Sequence, residues 1–137
     1  MCHIASVGDC RGIMSGNFGK KIYPLSTDHK PENKSEFKRI KLAGGKVYRA
    51  KISGTKDLQG PWRVLPGRLS VSRSFGDAVA KLPANGGNPN WIIAVPEIKS
   101  FPITEDLDFI VLACDGIYDK MKNKEVWKTI WSNAVRS

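Results

Sequence analysis

The stretch LACDGIYDK, residues 112 to 120, delivers two carboxylates, Asp115 and Asp119, onto a glycine turn directly after an apolar run. Phe109 to Cys114 has the length and β-branched content of a buried central strand, and Gly116 lets the chain turn at its end. A bare charge in such a place costs several kcal/mol, on the order of what one buried ion costs after relaxation, so Asp115 is expected to face a cation, a donor array or a metal. An Asp that only caps the following turn and helix fits the same residues. Asp9, in Val7-Gly8-Asp9, repeats the strand-then-glycine-turn setting, and two acids so placed can meet at one edge of a sheet. Oxygen ligands at turns suit a hard cation, magnesium or manganese before zinc.

Other chemistries find little support. There is no GxSxG elbow, GxxxxGK[ST] loop or GxGxxG fingerprint. The two histidines, His3 and His29, make no helical zinc pair; His3 reads as a strand residue and His29 as part of a hydrogen-bonded turn. Cys2, Cys10 and Cys114 are odd in number and unclustered, and read as small buried residues in a reducing compartment.

The 137 residues, 41% hydrophobic and 26% charged, suit one soluble domain with a sizeable core. No apolar run approaches the roughly 20 residues needed to span a bilayer, and a cytoplasmic or nuclear chain, not secreted, is expected. The balance of 22 basic against 13 acidic residues, a net +9, favours anionic partners. Lys34, Lys38 and Lys41 fall at helical spacing, and Lys120, Lys122, Lys124 and Lys128 surround the start of the last helix. Neither group is interleaved with exposed-looking aromatics, as a single-strand binding platform requires, so both read as solvated faces, with no specific nucleic acid and no membrane as partner.

Around these residues the sequence predicts an opening β-meander: Cys2 to Val7, a turn at Gly8-Asp9, Arg11 to Ser15, and Ile22 to Leu25. A helix follows over Lys34 to Leu42, with Phe37 and Ile40 inward, stopped by Gly44-Gly45, then a strand from Lys46 to Tyr48. Ile52 to Arg68, dense in Gly, Pro, Trp and basic residues, reads as an ordered but irregular excursion. Leu69 to Val71, Trp91 to Val95 and Ile98 to Ile103 read as strands, Ala78 to Leu82 as a helical turn, and Ala84 to Asn90 as a loop. A final helix starts with Asn123 as N-cap and buries Val126, Trp127, Ile130, Trp131 and Ala134.

Six segments, in order, resemble the metal-dependent protein serine/threonine phosphatases of the 2C type. Ala5 to Arg11 is similar to "ANVGDSR", Thr27 to Pro31 to "TxDHKP", and Arg39-Ile40 with Gly44 to Val47 to "RIxxxGGxV". Leu69 to Asp77 is similar to "LAVSRALGD", Pro96-Glu97-Ile98 to "PEV", and Cys114 to Asp119 to "CDGLWD". The resemblance implies an α+β fold, a four-layer α-β-β-α sandwich with a metal centre at the sheet edge. It implies hydrolysis of phosphoserine and phosphothreonine in proteins by a hydroxide held between manganese or magnesium ions, two or three in the complete domain. Asp115 then resembles a direct ligand of the paired metals, and Asp9 and Asp119 ligands of an additional site that shares Asp115. Ile52 to Arg68 resembles the flap beside the active site. Arg73 and Asp77 are expected to form a structural pair, Arg11 is expected in a similar structural role, and His29 is left structural.

The resemblance covers the carboxy-terminal portion of the family domain. The "DGHGG" segment, the basic residue that grips phosphate and the late "DN" segment have no counterpart here. The expectation is therefore a partial catalytic domain whose full-length parent is the enzyme; the alternative is a catalytically dead phosphatase-like binding module. Its phosphoprotein substrates would then be joined by a dimer mate or a partner chain that completes the sheets, whose strand edges are expected to be exposed.

Overall fold

The computed structural model describes residues 1–51 and 59–134. The chain forms two compact units, residues 1–28 with 96–137, and residues 29–95. Each mixes helix and sheet, in agreement with the α+β expectation.

In the first unit, β1 (Cys2–Ser6) pairs antiparallel with β6 (Glu97–Phe101), and β2 (Arg11–Gly16) lies between β3 (Lys21–Pro24) and β7 (Leu107–Ala113). The expected meander is thus corrected. β2 and β3 form its hairpin, but β1 takes a partner some 90 residues away that local pattern cannot specify. β7 is also corrected: it is the edge of the sheet β3-β2-β7, and its alternate residues Ile110 and Leu112 are exposed, Leu112 at 69%. The true central strand is β2, buried continuously from Gly12 to Gly16.

Two short helices' worth of chain close this unit: α3 (Asp115–Tyr118) and α4 (Asn123–Ala134). Val126 is buried with Ile13 and Tyr118, while Trp127 and Ile130 pack against them, as the apolar stripe predicts. Trp131 leans on Phe109 at 5.7 Å between ring centroids, whereas Ala134 stays exposed. Asn123 is not the cap. Its Oδ1 accepts from Arg11 Nη1 at 2.7 Å, and Glu125 Oε2 reaches back to the Lys122 amide at 2.6 Å, half of a capping box. At the heart of the unit the fully buried Ser15 hydroxyl accepts from the Trp127 and Trp131 indoles, both at 3.0 Å, and donates to Asp108 at 2.8 Å. Asp108 also accepts from the Phe18 and Gly19 amides. Gly19, at φ +71°, sits where an added methyl would lie 2.9 Å from the Trp131 ring.

In the second unit, α1 (Lys34–Leu42) lies beside the hairpin of β4 (Lys46–Lys51) and β5 (Gln59–Leu65). Ile40, Val64, Ala80 and Ile92 form its core, with Val47, Leu69 and Trp91 against them. Gly44, at φ +81°, stops α1 as predicted, with the Gly45 amide donating to the Ile40 carbonyl at 2.8 Å. Part of the expected irregular excursion is regular. Residues 52–58 lie outside the described residues, but Gln59–Leu65 is a strand that tolerates Pro61 because β4 is its one ladder partner among the described residues. Leu69 to Val71 and Trp91 to Val95, expected as strands, make only single bridges, Val64 with Leu69 and Arg73 with Ile93. Their apolar content serves packing: Ile92 is 1% exposed. α2 (Ala78–Lys81) follows as the sequence suggested, and Pro83–Asn85 adds a 3-10 turn that runs into the stretch read as a loop.

Candidate functional site

The turn between β1 and β2 carries Asp9, and Gly8 makes that turn at φ +91°. On β7's side, Cys114 caps α3, so Asp115 is the first residue of the helix and Asp119 follows one turn later, its amide donating to the Asp115 carbonyl at 2.8 Å. Arg11 stands opposite Ala113 in the β2/β7 ladder. The segments leaving that ladder, Asp9-Cys10 on one strand and Cys114-Asp115 on the other, therefore emerge at the same end. Asp119, four residues beyond Asp115, falls on the same side of the helical turn.

The electrostatics agree with this closeness. The Cys10 thiol is pushed up from its ordinary value, first by burial and then by the negative charges of Asp9, Cys114, Asp115 and Asp28. Asp115 and Asp119 are solvent-exposed, which removes the burial cost expected for Asp115, and their carboxylates carry no hydrogen bond or ion pair among the described residues. Asp115 is not a cap either: that position belongs to Cys114, and no side-chain cap bond is made. Cys10 and Cys114 are exposed and Cys2 half-buried, against the expectation of buried thiols, because the ends of a ladder are not its middle. Among the described residues no group of three or more His, Cys, Asp and Glu side chains comes together closely enough to hold a metal ion. The chain thus offers hard oxygen donors at one end of a sheet.

A second layer braces them. Arg11 grips Asp28 through Nε at 2.9 Å and Nη2 at 2.8 Å, donates to Asn123, and lies 4.6 Å over the Tyr118 ring. The Asp28 hydrogen bonds raise the Arg11 pKa above its ordinary value, and burial raises that of the Tyr118 phenol. One guanidinium thereby ties β2, the segment after β3, α3 and the start of α4. Arg11's structural role follows the sequence reading, but Asp28 and Tyr118 were missed. The signal available was Asp28's place in the Thr27-Asp28-His29 turn shortly after β3.

In the second unit the expected pair of Arg73 with Asp77 is corrected. Arg73 Nη2 meets Glu36 Oε1 at 2.7 Å, while Asp77 is exposed in the left-handed region at φ +53°. Glu36, 3% exposed, also receives Arg39 at 3.0 Å and the Ser72 hydroxyl at 2.8 Å. Burial alone would raise its carboxyl, but the bonds from Arg73, Ser72 and Arg39 outweigh that and bring it down from 4.5 to about 2. Glu36 shares the inner face of α1 with Ile40, four residues on, a spacing that could have identified it. His29 is buried, and its carbonyl accepts from the Ser72 amide at 2.7 Å, in keeping with a structural role.

The family described as "Protein phosphatase 2C" matches residues 2–136. The chain is 39% identical over 122 residues to "Probable protein phosphatase 2C 25" of Arabidopsis thaliana, covering 89% of this chain and 26% of that relative. It is 36% identical over 124 residues to "Protein phosphatase ppm-1.G" of Caenorhabditis elegans, covering 90% and 22%. The chain thus spans about a quarter of the length of the curated relatives it matches. Among solved structures it is similar to a phosphatase from a pathogenic strain of Toxoplasma gondii, with TM-score 0.72, 31% identity, and coverage of 98% of this chain and 37% of that one. A C. elegans sex determining protein superposes with TM-score 0.72 at 27% identity, over 92% of this chain and 26% of that one.

Proposed function

The chain belongs to the protein phosphatase 2C family, and we propose that its full-length parent hydrolyses phosphoserine and phosphothreonine in proteins, with this chain as a partial catalytic domain. The observation that carries the reading is the family match over residues 2–136, joined to a β2/β7 register that sends Asp9 and Asp115 out at one end of the ladder. Asp115, Asp9 and Asp119 are the carboxylates this chain would contribute to a manganese or magnesium centre of two or three ions. Bound there, such ions acidify a water and neutralise phosphate oxygens.

The chain's own residues position those carboxylates. Gly8 makes the turn that presents Asp9, and the Arg11 clamp on Asp28, Asn123 and Tyr118 fixes that turn against α3. Cys114, capping α3, sets the direction in which Asp115 leaves the sheet. Three unclustered free cysteines fit a cytoplasmic or nuclear setting. No helix among the described residues is long and apolar enough to cross a membrane. The exposed edge of β7, with Ile110 and Leu112 uncovered, suits a partner chain or a dimer mate that completes the sheet.

A second reading, a phosphatase-like module that binds without hydrolysing, is favoured by one observation: no three-membered ligand group forms among the described residues. Manganese-dependent hydrolysis of a phosphothreonine peptide separates the two. It should be measured for the full-length parent and for this chain, each with Asp115→Ala. Hydrolysis by the parent that the substitution cuts by about a thousandfold or more supports the enzyme reading. A folded parent that is inert, or one indifferent to Asp115→Ala, overturns it.

A further inference from the structure

The net charge of +9 is not spread over the molecule. Residues 29–95 hold 13 Lys and Arg against 4 Asp and Glu, whereas the remaining residues balance at 9 against 9. The whole excess therefore belongs to the second unit. Of that unit's four acids, Glu36 is buried and already neutralised by Arg39 and Arg73.

Four cations of this unit share a structural setting. Lys34, Lys38 and Lys41 line one side of α1 at positions i, i+4 and i+7, all exposed. Lys41 Nζ lies 5.7 Å over the Phe37 ring, Phe37 meets Trp62 of β5 edge-on at 6.4 Å, and the Arg49 guanidinium of β4 lies 6.0 Å from the Trp62 ring. A continuous row of cation, ring, ring, cation thus runs from α1 onto the hairpin. Sequence reading set Phe37 inward and missed Trp62, which meets it from a strand more than 20 residues away. None of the four cations has a carboxylate partner among the described residues. Among the described residues Arg49 bonds only through Nε, to the Gly60 carbonyl at 3.2 Å, so its two terminal nitrogens have no partner there and can meet a planar anion.

We infer that this face, Lys34, Lys38, Lys41 and Arg49 around the Phe37–Trp62 pair, docks an acidic polypeptide segment, a run of Asp, Glu or phosphorylated residues carried by a protein partner. Protein as the partner rests on the phosphatase reading; the anionic chemistry does not. The aromatic contacts pre-order Lys41 and Arg49, so less side-chain entropy is lost when an anion arrives. Three lysines over two turns of helix span about 10 Å, the length of about three residues of extended chain, so alternate acids on one strand meet successive cations. Single-stranded nucleic acid fits less well. The two rings stack on each other edge-on and each already carries a cation, which removes the open ring faces that bases would use.

The test is fluorescence anisotropy of the purified chain with a labelled hexaglutamate peptide, which contains no phosphate ester. The chain is compared with Lys38→Glu/Lys41→Glu/Arg49→Glu and with a control of equal charge change in the first unit, Lys20→Glu/Lys124→Glu/Lys128→Glu. The expected result is binding that weakens on the order of tenfold in the first variant and less than about twofold in the control, and that fades as salt rises. If circular dichroism shows the reversed variant to be unfolded, the set Lys38→Gln/Lys41→Gln/Arg49→Gln gives the same comparison. Equal loss in the control, no binding of the peptide, or tighter binding of a thymidine 15-mer or of phosphatidylserine vesicles each overturns the inference. Because the probe carries nothing to hydrolyse, an inert parent enzyme leaves this result standing, and an active one does not rescue it.

Discussion

The two units solve the same problem, a polar group that must be held inside, in opposite ways. The first unit buries a neutral hydroxyl, Ser15, and surrounds it with two indoles and one carboxylate. The second buries a full charge, Glu36, and surrounds it with two guanidiniums and a hydroxyl. A neutral centre can lose a partner and pay only for a missing hydrogen bond. A charged centre that loses its charge leaves two cations facing each other across a dry gap. By sequence the first unit is neutral overall, and the second carries a surplus of cations, with Glu36 its one buried acid among the described residues.

The sharpest way to break the contrast is Glu36→Gln. Removing the buried acid while keeping its shape should cost about 3–5 kcal/mol, read as a shift of the urea midpoint, because Arg39 and Arg73 are left uncompensated. Less than about 1 kcal/mol would mean that the network is solvated and the contrast false.

Acid titration should separate the units next. The Glu36 carboxyl lies near 2 in the folded chain and 4.5 in its ordinary state. A lowered folded value means that its contribution, on the order of 3 kcal/mol, is complete above the ordinary value and is lost as pH falls from about 4.5 through about 2. The measurement is thermal unfolding against pH, with Glu36→Gln as the reference. The variant should be flat over the interval where the parent chain loses stability.

Ser15→Ala probes the neutral centre and should cost about 1–3 kcal/mol, since two indole N–H groups and a carboxylate lose one partner in a buried site. Emission from Trp127 and Trp131 should change with it, while Trp91, bonded to the Ala43 carbonyl, should not. The smallest effect is expected from Arg11→Lys. The pair with Asp28 is about a fifth exposed on each side, so losing the fork geometry should cost about 1 kcal/mol. Under the proposed function, the same substitution in the full-length parent should raise the manganese concentration needed for half-maximal hydrolysis, through the turn that carries Asp9.

Local pattern carried most of the elements and little of their pairing. α1, β2, β3 and α4 are short-range objects whose periodicity and stop signals lie within their own residues. β1 finding β6, β7 lying at an edge, and Gln59–Leu65 forming a strand through a Gly-Pro pair depend on chain far away, which no periodicity encodes. The same division holds at the candidate site. Asp9, Asp115 and Asp119 announce themselves by strand-then-turn settings. Arg73 chose Glu36 over the nearer Asp77 because Glu36 is buried on α1 and the solvated Asp77 gains nothing from a partner.

The first unit is discontinuous, made of residues 1–28 and 96–137, with the second inserted whole between them. On a ribosome this becomes a schedule. β1 leaves the tunnel well before Glu97–Phe101 and must wait for that partner, and the turn at Phe18 and Gly19 waits for Asp108. At about 5–20 residues per second that interval lasts several seconds, during which residues 29–95 can already close on Ile40, Val64 and Ile92. The basic unit can thus be complete while β1 and the turn at Phe18 still wait for their partners.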